Sequence, residues 1–270
     1  MRILKSLHGL QVGLDSDGRL MAPTGARVGE HGSQWIYGAP NYVEHIDDFV
    51  GAAILGTWGV NKGSDGSAAN FAINAALNGT VRAATGAGAG ANMATNGVQI
   101  NGGLNYQANN TNAGAIHGGT YVEVRLKLSA ITTIAAFVGF TNQTGSLQAP
   151  AIGAGGGNTF TANANDACGF VFDTTMTTAD WWLYGCAGGT QAAQQDSGGA
   201  PVAATYDTLR VELDSSGNAV FFRNGKQVGV LMAGAVTANV AITPVVTAFR
   251  RAASSANVDI DYIAVGSPRV

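Results

Sequence analysis

The sequence predicts an all-β fold: an antiparallel two-sheet sandwich of jelly-roll type with an extended N-terminal arm. Three observations predict it. Roughly a dozen short alternating or apolar runs are separated by Gly- and Asn-rich turns, with no helices between them. No stretch keeps helical periodicity and caps for more than about two turns. One passage, YDTLRVELDSSGNAVFFRNGKQVGVL over 206–231, reads as three strands and two tight turns.

In that passage Leu209, Val211 and Leu213 alternate with Arg210, Glu212 and Asp214. A period of two gives a strand with one buried and one wet face. Its turns are Ser215-Ser216-Gly217 and Asn224-Gly225. Asn-Gly between apolar runs is the strongest short-range hairpin signal, because both turn residues take positive φ.

The other elements follow in chain order. Residues 1–45 hold His8, His31 and His45, repeated glycine and no sustained periodicity. LQVGLDSDGRLMAP suggests a small hairpin around Asp17-Gly18, and Trp35, Tyr37 and Tyr42 sit among turn residues. Such a segment has no core of its own, so its aromatics are expected to dock on something else. Residues 1–45 are therefore read as an arm and 46–270 as the sandwich. From Asp47 the text turns β-like: DDFVGAAI, then FAINAALNGTVRAATG turning at Asn78-Gly79, then GVQINGGLNYQ. TYVEVRLKL sets Tyr121, Glu123, Arg125 and Lys127 on one face and Val122, Val124, Leu126 and Leu128 on the other. TTIAAFVGFTN is an apolar, buried strand, and NVDIDYIAVGSPRV closes the chain.

ACGFVFDTTMTTADWWLYGCAG reads as a hairpin. With Phe172 opposite Trp182, Cys168 would face Cys186 and a disulfide would be conceivable; two buried free thiols are the favoured state. Adjacent Trp181 and Trp182 must point to opposite faces. One is expected in the core and the other exposed, as a glycan or protein contact. GAGAGAN and IGAGGGNTF lack the Gly-x-x-x-x-Gly-Lys-Ser/Thr pattern of a phosphate loop and read as loops between strands.

Charged residues make up 11% of the chain, against about 25% in a typical soluble domain, with net charge −3 and 39 glycines. The composition suits a surface taken up by neighbours, or equally a low-charge secreted β-protein. It carries no electrostatic footprint for nucleic acid or an anionic membrane. No apolar run reaches the ~18 residues of a transmembrane span, and the start does not read as a signal peptide.

Three passages carry a resemblance to the concanavalin A-like lectin/glucanase superfamily: Asp47-Asp48-Phe49 with the later Trp58, the Phe170–Tyr184 hairpin, and Leu209–Val230 with the closing Val258–Gly266 strand. The resemblance spans Asp47 to Val270. It implies the sandwich and leaves the function open, since this fold hosts lectins, hydrolases, lyases and virion proteins. The sandwich with its unusual arm is similar to tailed-phage structural proteins. That likeness implies a non-enzymatic capsid decoration (cement) protein on the outer capsid of the virion, made in the host cytoplasm. Its arm, with Trp35, Tyr37 and Tyr42, would contact the major capsid protein lattice or a sister subunit of a dimer or trimer. The alternative is a tail module binding a surface glycan through Trp181 or Trp182, and a glycoside hydrolase ranks below that.

The candidate chemistry supports this order. Glucanases of the superfamily carry Glu-x-Asp-x-x-Glu, with alternate carboxylates in one cleft. Here Glu123 is followed on its face by Arg125 and Lys127. Glu212 and Asp214, and Asp259 with Asp261, read as solvated strand faces. No Gly-x-Ser-x-Gly elbow occurs, and His117 stands alone. The arm histidines lack the paired short spacing of a zinc site. Asp15-Ser16-Asp17-Gly18 resembles a calcium loop but lacks its downstream glutamate, so a hairpin turn is preferred. No metal, cofactor or catalytic residue is expected.

Overall fold

The structure is a computed structural model. It describes residues 3–7, 10–14, 20–21, 42–50, 54, 56–65, 70–74, 79–86, 92–103, 106–108, 119–143 and 147–268. Trp35, Tyr37, His8, His31, His117 and the Asp15–Gly18 turn lie outside the described residues.

Two antiparallel sheets pack face to face, as the alternation predicts. The first runs Lys226–Met232, Ala219–Arg223, Asp207–Leu213, Thr120–Leu128, Asn257–Pro268, Thr80–Ala84 and Asn70–Asn74, with Tyr42–Asp47 also pairing Asn257–Pro268. The second runs Thr190–Gln191, Trp182–Ala187, Ala167–Asp173, Ile134–Thr141, Ala241–Arg250, Val98–Gly102 and Trp58–Lys62. Gln195–Asp196 and Tyr106–Gln107 add short pairings to it. The Met93–Asn96 helix is one turn long, capped where the Asn92 side chain accepts from the Thr95 N–H.

The core lies between the sheets. Val122, Val124, Leu126 and Leu128 point into it from the first sheet; Val138, Phe140, Phe170 and Phe172 meet them from the second. Trp181 is fully buried among these rings, edge-on to Phe170, and its indole N–H donates to Asp207 at 3.1 Å. Asp207 also takes the Arg223 guanidinium at 2.9 Å. One buried carboxylate thus satisfies an indole and a cation that would otherwise be costly to cover.

Both expected turns of the 206–231 passage form. Asn224 and Gly225 have φ of 51° and 76° and bring Arg223 opposite Lys226, the geometry a two-residue primed turn demands. At the other turn Asp214 accepts the backbone N–H groups of Ser216 and Asn218. The arm hairpin also appears in backbone register: Leu10–Leu14 pairs Leu20–Met21, with Leu14 opposite Leu20, and Ile3–Leu7 adds a third strand. Among the described residues this small sheet shares no ladder with either large sheet. Tyr42, read from sequence as part of the arm, opens a strand of the first sheet opposite Pro268.

Asp47-Asp48-Phe49 and Trp58 form a seam between the sheets. Asp47 accepts from the Phe49 N–H and from the Trp58 indole, both at 2.9 Å. His45 stacks on Trp58 with ring centroids 5.2 Å apart. Burial lowers the His45 pKa, and Asp47 opposes that shift.

One register differs from the sequence reading. Val171, not Phe172, lies opposite Trp182, so Cys168 faces Gly185 and Cys186 faces Ala167. A one-residue slip reverses faces. Cys168 joins the central core and Cys186 the opposite side of the sheet, and both are free thiols.

Candidate functional site

The outer face of the second sheet is apolar. Phe137, Val171, Trp182, Tyr184 and Val245 point away from the central core and form a second cluster. A hairpin of Ala151–Gly153 and Phe160–Ala162 lies over them; it is a two-stranded sheet of its own. Phe160 packs edge-on to Trp182 and Tyr184, with centroids 6.2 and 5.4 Å away. This corrects the expectation of an exposed tryptophan. Trp181 and Trp182 do point to opposite faces, yet both are buried, and the Trp182 N–H donates to the Thr178 carbonyl. The Gly-rich IGAGGGNTF, read as a loop, supplies the cover. Asp173 holds the hairpin base: it accepts from Gly153 N–H and Arg251 Nε, both at 2.9 Å, and from Thr175.

The outer face of the first sheet is ionic. Its charges form a ladder across neighbouring strands. Arg82 pairs with Asp259 at 2.7 Å, Lys127 reaches the same carboxylate at 3.7 Å, and Arg125 pairs with Asp261. The hydrogen bond from Arg82 to Asp259 raises the guanidinium's pKa. Asp259 and Asp261 are thus held by cations, and Asp214 serves its turn.

Beside this ladder lies a cavity of about 250 Å³ lined by Glu123, Thr208, Arg210, Glu212, Phe222 and Gly225. The registers build it. Glu123 is directly opposite Arg210, and Arg210 is directly opposite Phe222, so the three form a row across three strands. Tyr121 opposite Glu212 forms the next row. The Arg210 guanidinium lies over the Tyr121 ring, 3.9 Å from its centroid. Its Nε donates to Glu212 at 2.6 Å, and Nη1 stands 3.5 Å from Glu123. Burial alone would lower the Arg210 pKa; the hydrogen bond and field of Glu212, with Glu123, outweigh it and raise the pKa. Tyr262 donates to Glu123 at 2.7 Å, and burial followed by that carboxylate pushes the phenol's pKa well up. Glu212 is buried, which corrects its reading as a solvated face.

Glu123 and Glu212 are diagonal neighbours across the strand pair, with Cα atoms about 7–8 Å apart, and both carboxylates reach the one Arg210 guanidinium. The sequence shows both residues, each on its own strand. The signal it lacked is the register that places them on one guanidinium beside an aromatic ring. Among the described residues no cluster of three or more His, Cys, Asp or Glu side chains is arranged to hold a metal. No helix among them is long and apolar enough to cross a membrane.

No protein-family model matches the chain, and no curated protein matches it in sequence. Solved structures match it in fold. A non-specific endo-β-1,3(4)-glucanase of glycoside hydrolase family 16 superposes with a TM-score of 0.53 at 12% identity, over 88% of this chain and 96% of that one. The Bacillus licheniformis β-glucanase gives 0.52 at 11% identity, over 82% and 97%. The carbohydrate recognition domain of Emp47p gives 0.50 at 10% identity, over 86% and 99%. At these identities the likeness establishes the fold, a two-sheet antiparallel jelly-roll sandwich. The expectation of a non-enzymatic protein is corrected to this extent: structures named as glucanases share this fold over nearly their whole length, so the fold is no ground for excluding catalysis.

Proposed function

We propose that the chain is a carbohydrate-directed jelly roll that takes a neutral glucan segment on the outer face of the first sheet. The observation that carries the reading is the row Glu123–Arg210–Phe222, aligned across three strands at the wall of one cavity. A pyranose has an apolar face of C–H groups and a rim of hydroxyls. Phe222 offers a ring for the first. Glu123, Thr208 and Arg210 offer acceptors and donors for the second, and hydrogen bonds to charged groups are the stronger ones. Tyr262 and Arg210 hold the Glu123 carboxylate from two sides, so it is pre-organised before a ligand arrives. The matching folds named as glucanases and as a carbohydrate recognition domain favour the same ligand class.

Titration with β-1,3- and β-1,4-linked gluco-oligosaccharides tests this. Saturable binding is expected, weakened about tenfold by Glu123→Gln and by Phe222→Ala, with both variants still folded. Absence of saturable binding at millimolar oligosaccharide, or binding unchanged in both variants, overturns it. The same mixtures assayed for new reducing ends read hydrolysis. Any cleavage should vanish in Glu123→Gln and in Glu212→Gln, because a glycoside hydrolase needs both of its carboxyl groups.

A second reading, attachment to a phage capsid lattice as a decoration subunit, is favoured by one separate observation. Among the described residues Ile3–Leu7, Leu10–Leu14 and Leu20–Met21 form a three-stranded sheet that pairs only within itself, as a separate arm would. Deleting residues 1–41, which stops short of the Tyr42 strand, should leave the sandwich folded and abolish assembly onto particles. Undiminished decoration by the truncated chain would sink this reading.

A further inference from the structure

A second cavity, of about 300 Å³, lies at the other sheet, between the Met93–Asn96 helix, the 147–149 segment and the end of the Ala241–Arg250 strand. It does not depend on the saccharide reading of the first sheet. Its apolar lining comes from Met93, Leu147, Ile152 and Phe249, which pack as one cluster. Its polar lining is three side-chain amides, Asn92, Gln148 and Asn163, together with Arg251.

Each amide spends one end on the protein, which fixes what the other end offers. The Asn92 carbonyl oxygen accepts the Thr95 N–H at 2.9 Å, leaving its NH₂ as a donor. Gln148 Oε1 accepts from Gln143 at 2.6 Å, again leaving an NH₂. Asn163 is reversed: its NH₂ donates to the Ala149 carbonyl at 2.9 Å, leaving its oxygen as an acceptor. Arg251 is committed to Asp173 and to the Gly153 carbonyl. The cavity therefore presents two neutral donors, one acceptor and an apolar lining, with its cation already neutralised.

That set complements a secondary acetamide: a carbonyl that accepts, an N–H that donates and a methyl that wants apolar cover. The geometry points to an acetamido-recognition site, and the ligand class it fits is an N-acetylated hexosamine. The acetamido carbonyl takes the Asn92 and Gln148 amide hydrogens, its N–H donates to Asn163 Oδ1, and its methyl rests on Met93, Ile152 and Leu147. The size fits a sugar carrying that group, at the lower end of small-molecule pockets. A free amino sugar lacks the carbonyl and the methyl and brings a charge with no counter-ion. A plain hexose leaves the apolar lining unfilled.

The test is a titration followed by amide chemical shifts or calorimetry, with N-acetylglucosamine, glucosamine, glucose and Nε-acetyl-lysine as probes. N-acetylglucosamine should bind at least about tenfold more tightly than the other three, a difference of ~1.4 kcal/mol. Asn163→Ala should remove that preference. Ala94→Phe, at an exposed position lining the cavity, should block binding without touching any of the three amides. Melting curves confirm that both variants are folded. Equal binding of glucose and N-acetylglucosamine overturns the inference, as does N-acetylglucosamine binding retained in both variants. Acetyl-lysine binding as tightly as the sugar overturns the assignment to a hexosamine. Since Phe222→Ala lies on the opposite sheet, a loss there with no change here separates the two proposals.

Discussion

The two outer faces of this sandwich are finished in opposite ways. On the first sheet the outward positions carry Glu123, Arg125, Lys127, Arg210, Asp259 and Asp261, and the face meets water as a ladder of ion pairs. On the second sheet the outward positions carry Phe137, Val171, Trp182 and Tyr184, and the face is roofed by the chain's own hairpin. A strand that alternates polar and apolar residues needs no cover. A strand apolar on both sides must be covered, and here the cover is local. The cavities differ accordingly: a charged one opens on the bare face, and an amide-lined one beside the roof.

The roof is the place to break this contrast. Asp173 is fully buried and accepts from Gly153, Thr175 and Arg251 at once. Asp173→Ala strands a guanidinium that is only 16% exposed and frees the hairpin base. Breaking such a pair costs about 3–5 kcal/mol, read as a fall in the denaturation midpoint in urea. Hydrogen exchange at Gly153 and Ala154 should quicken together with it. A loss below about 1 kcal/mol would mean that ring packing, and not the clamp, holds the roof.

Ring packing is tested next. Phe160→Ala removes the side chain that touches both Trp182 and Tyr184, and should cost about 3 kcal/mol. The loss should come with a spectroscopic sign. Among the described tryptophans Trp58 and Trp181 sit elsewhere in the core, so Trp182 is the one that should become newly accessible to acrylamide. Unchanged quenching would show that the roof closes over the gap.

The contrast was half legible in the sequence. TYVEVRLKL and TLRVELD announce a wet face and a buried face by their period of two, and both strands form as read. Asn224-Gly225 announces its turn because few residue pairs tolerate two successive positive φ values. The roof was hidden. Its strands are three residues each, set in a Gly-rich passage whose composition says loop, and only tertiary contact with Trp182 makes Phe160 a core residue. The cysteine hairpin was read one residue out of register, because neither flank has the strict alternation that penalises a slip. The Glu123–Arg210–Phe222 row was hidden for a related reason. Each residue is legible on its own strand, but the row exists only once two long-range registers are set.

The smallest expected effect is on the ionic face, and it discriminates most sharply between ladder and roof. Arg82 makes a bidentate contact with Asp259, 2.7 and 2.9 Å long, which on distance alone resembles the Asp173 clamp. The Arg82 side chain is nonetheless 43% exposed, and Lys127 stands 3.7 Å from the same carboxylate. Water and a second cation therefore share the work of satisfying Asp259 when Arg82 is removed. Arg82→Ala should cost no more than about 1 kcal/mol in dilute buffer. The difference from the parent chain should shrink further in 1 M salt, where screening acts over about 3 Å. The Asp173→Ala deficit should persist in the same salt, because that pair is shielded from the solvent that carries the ions. A cost above about 2 kcal/mol for Arg82→Ala, insensitive to salt, would mean the ladder is a structural network like the clamp, and the difference between the two faces would lie in their composition alone.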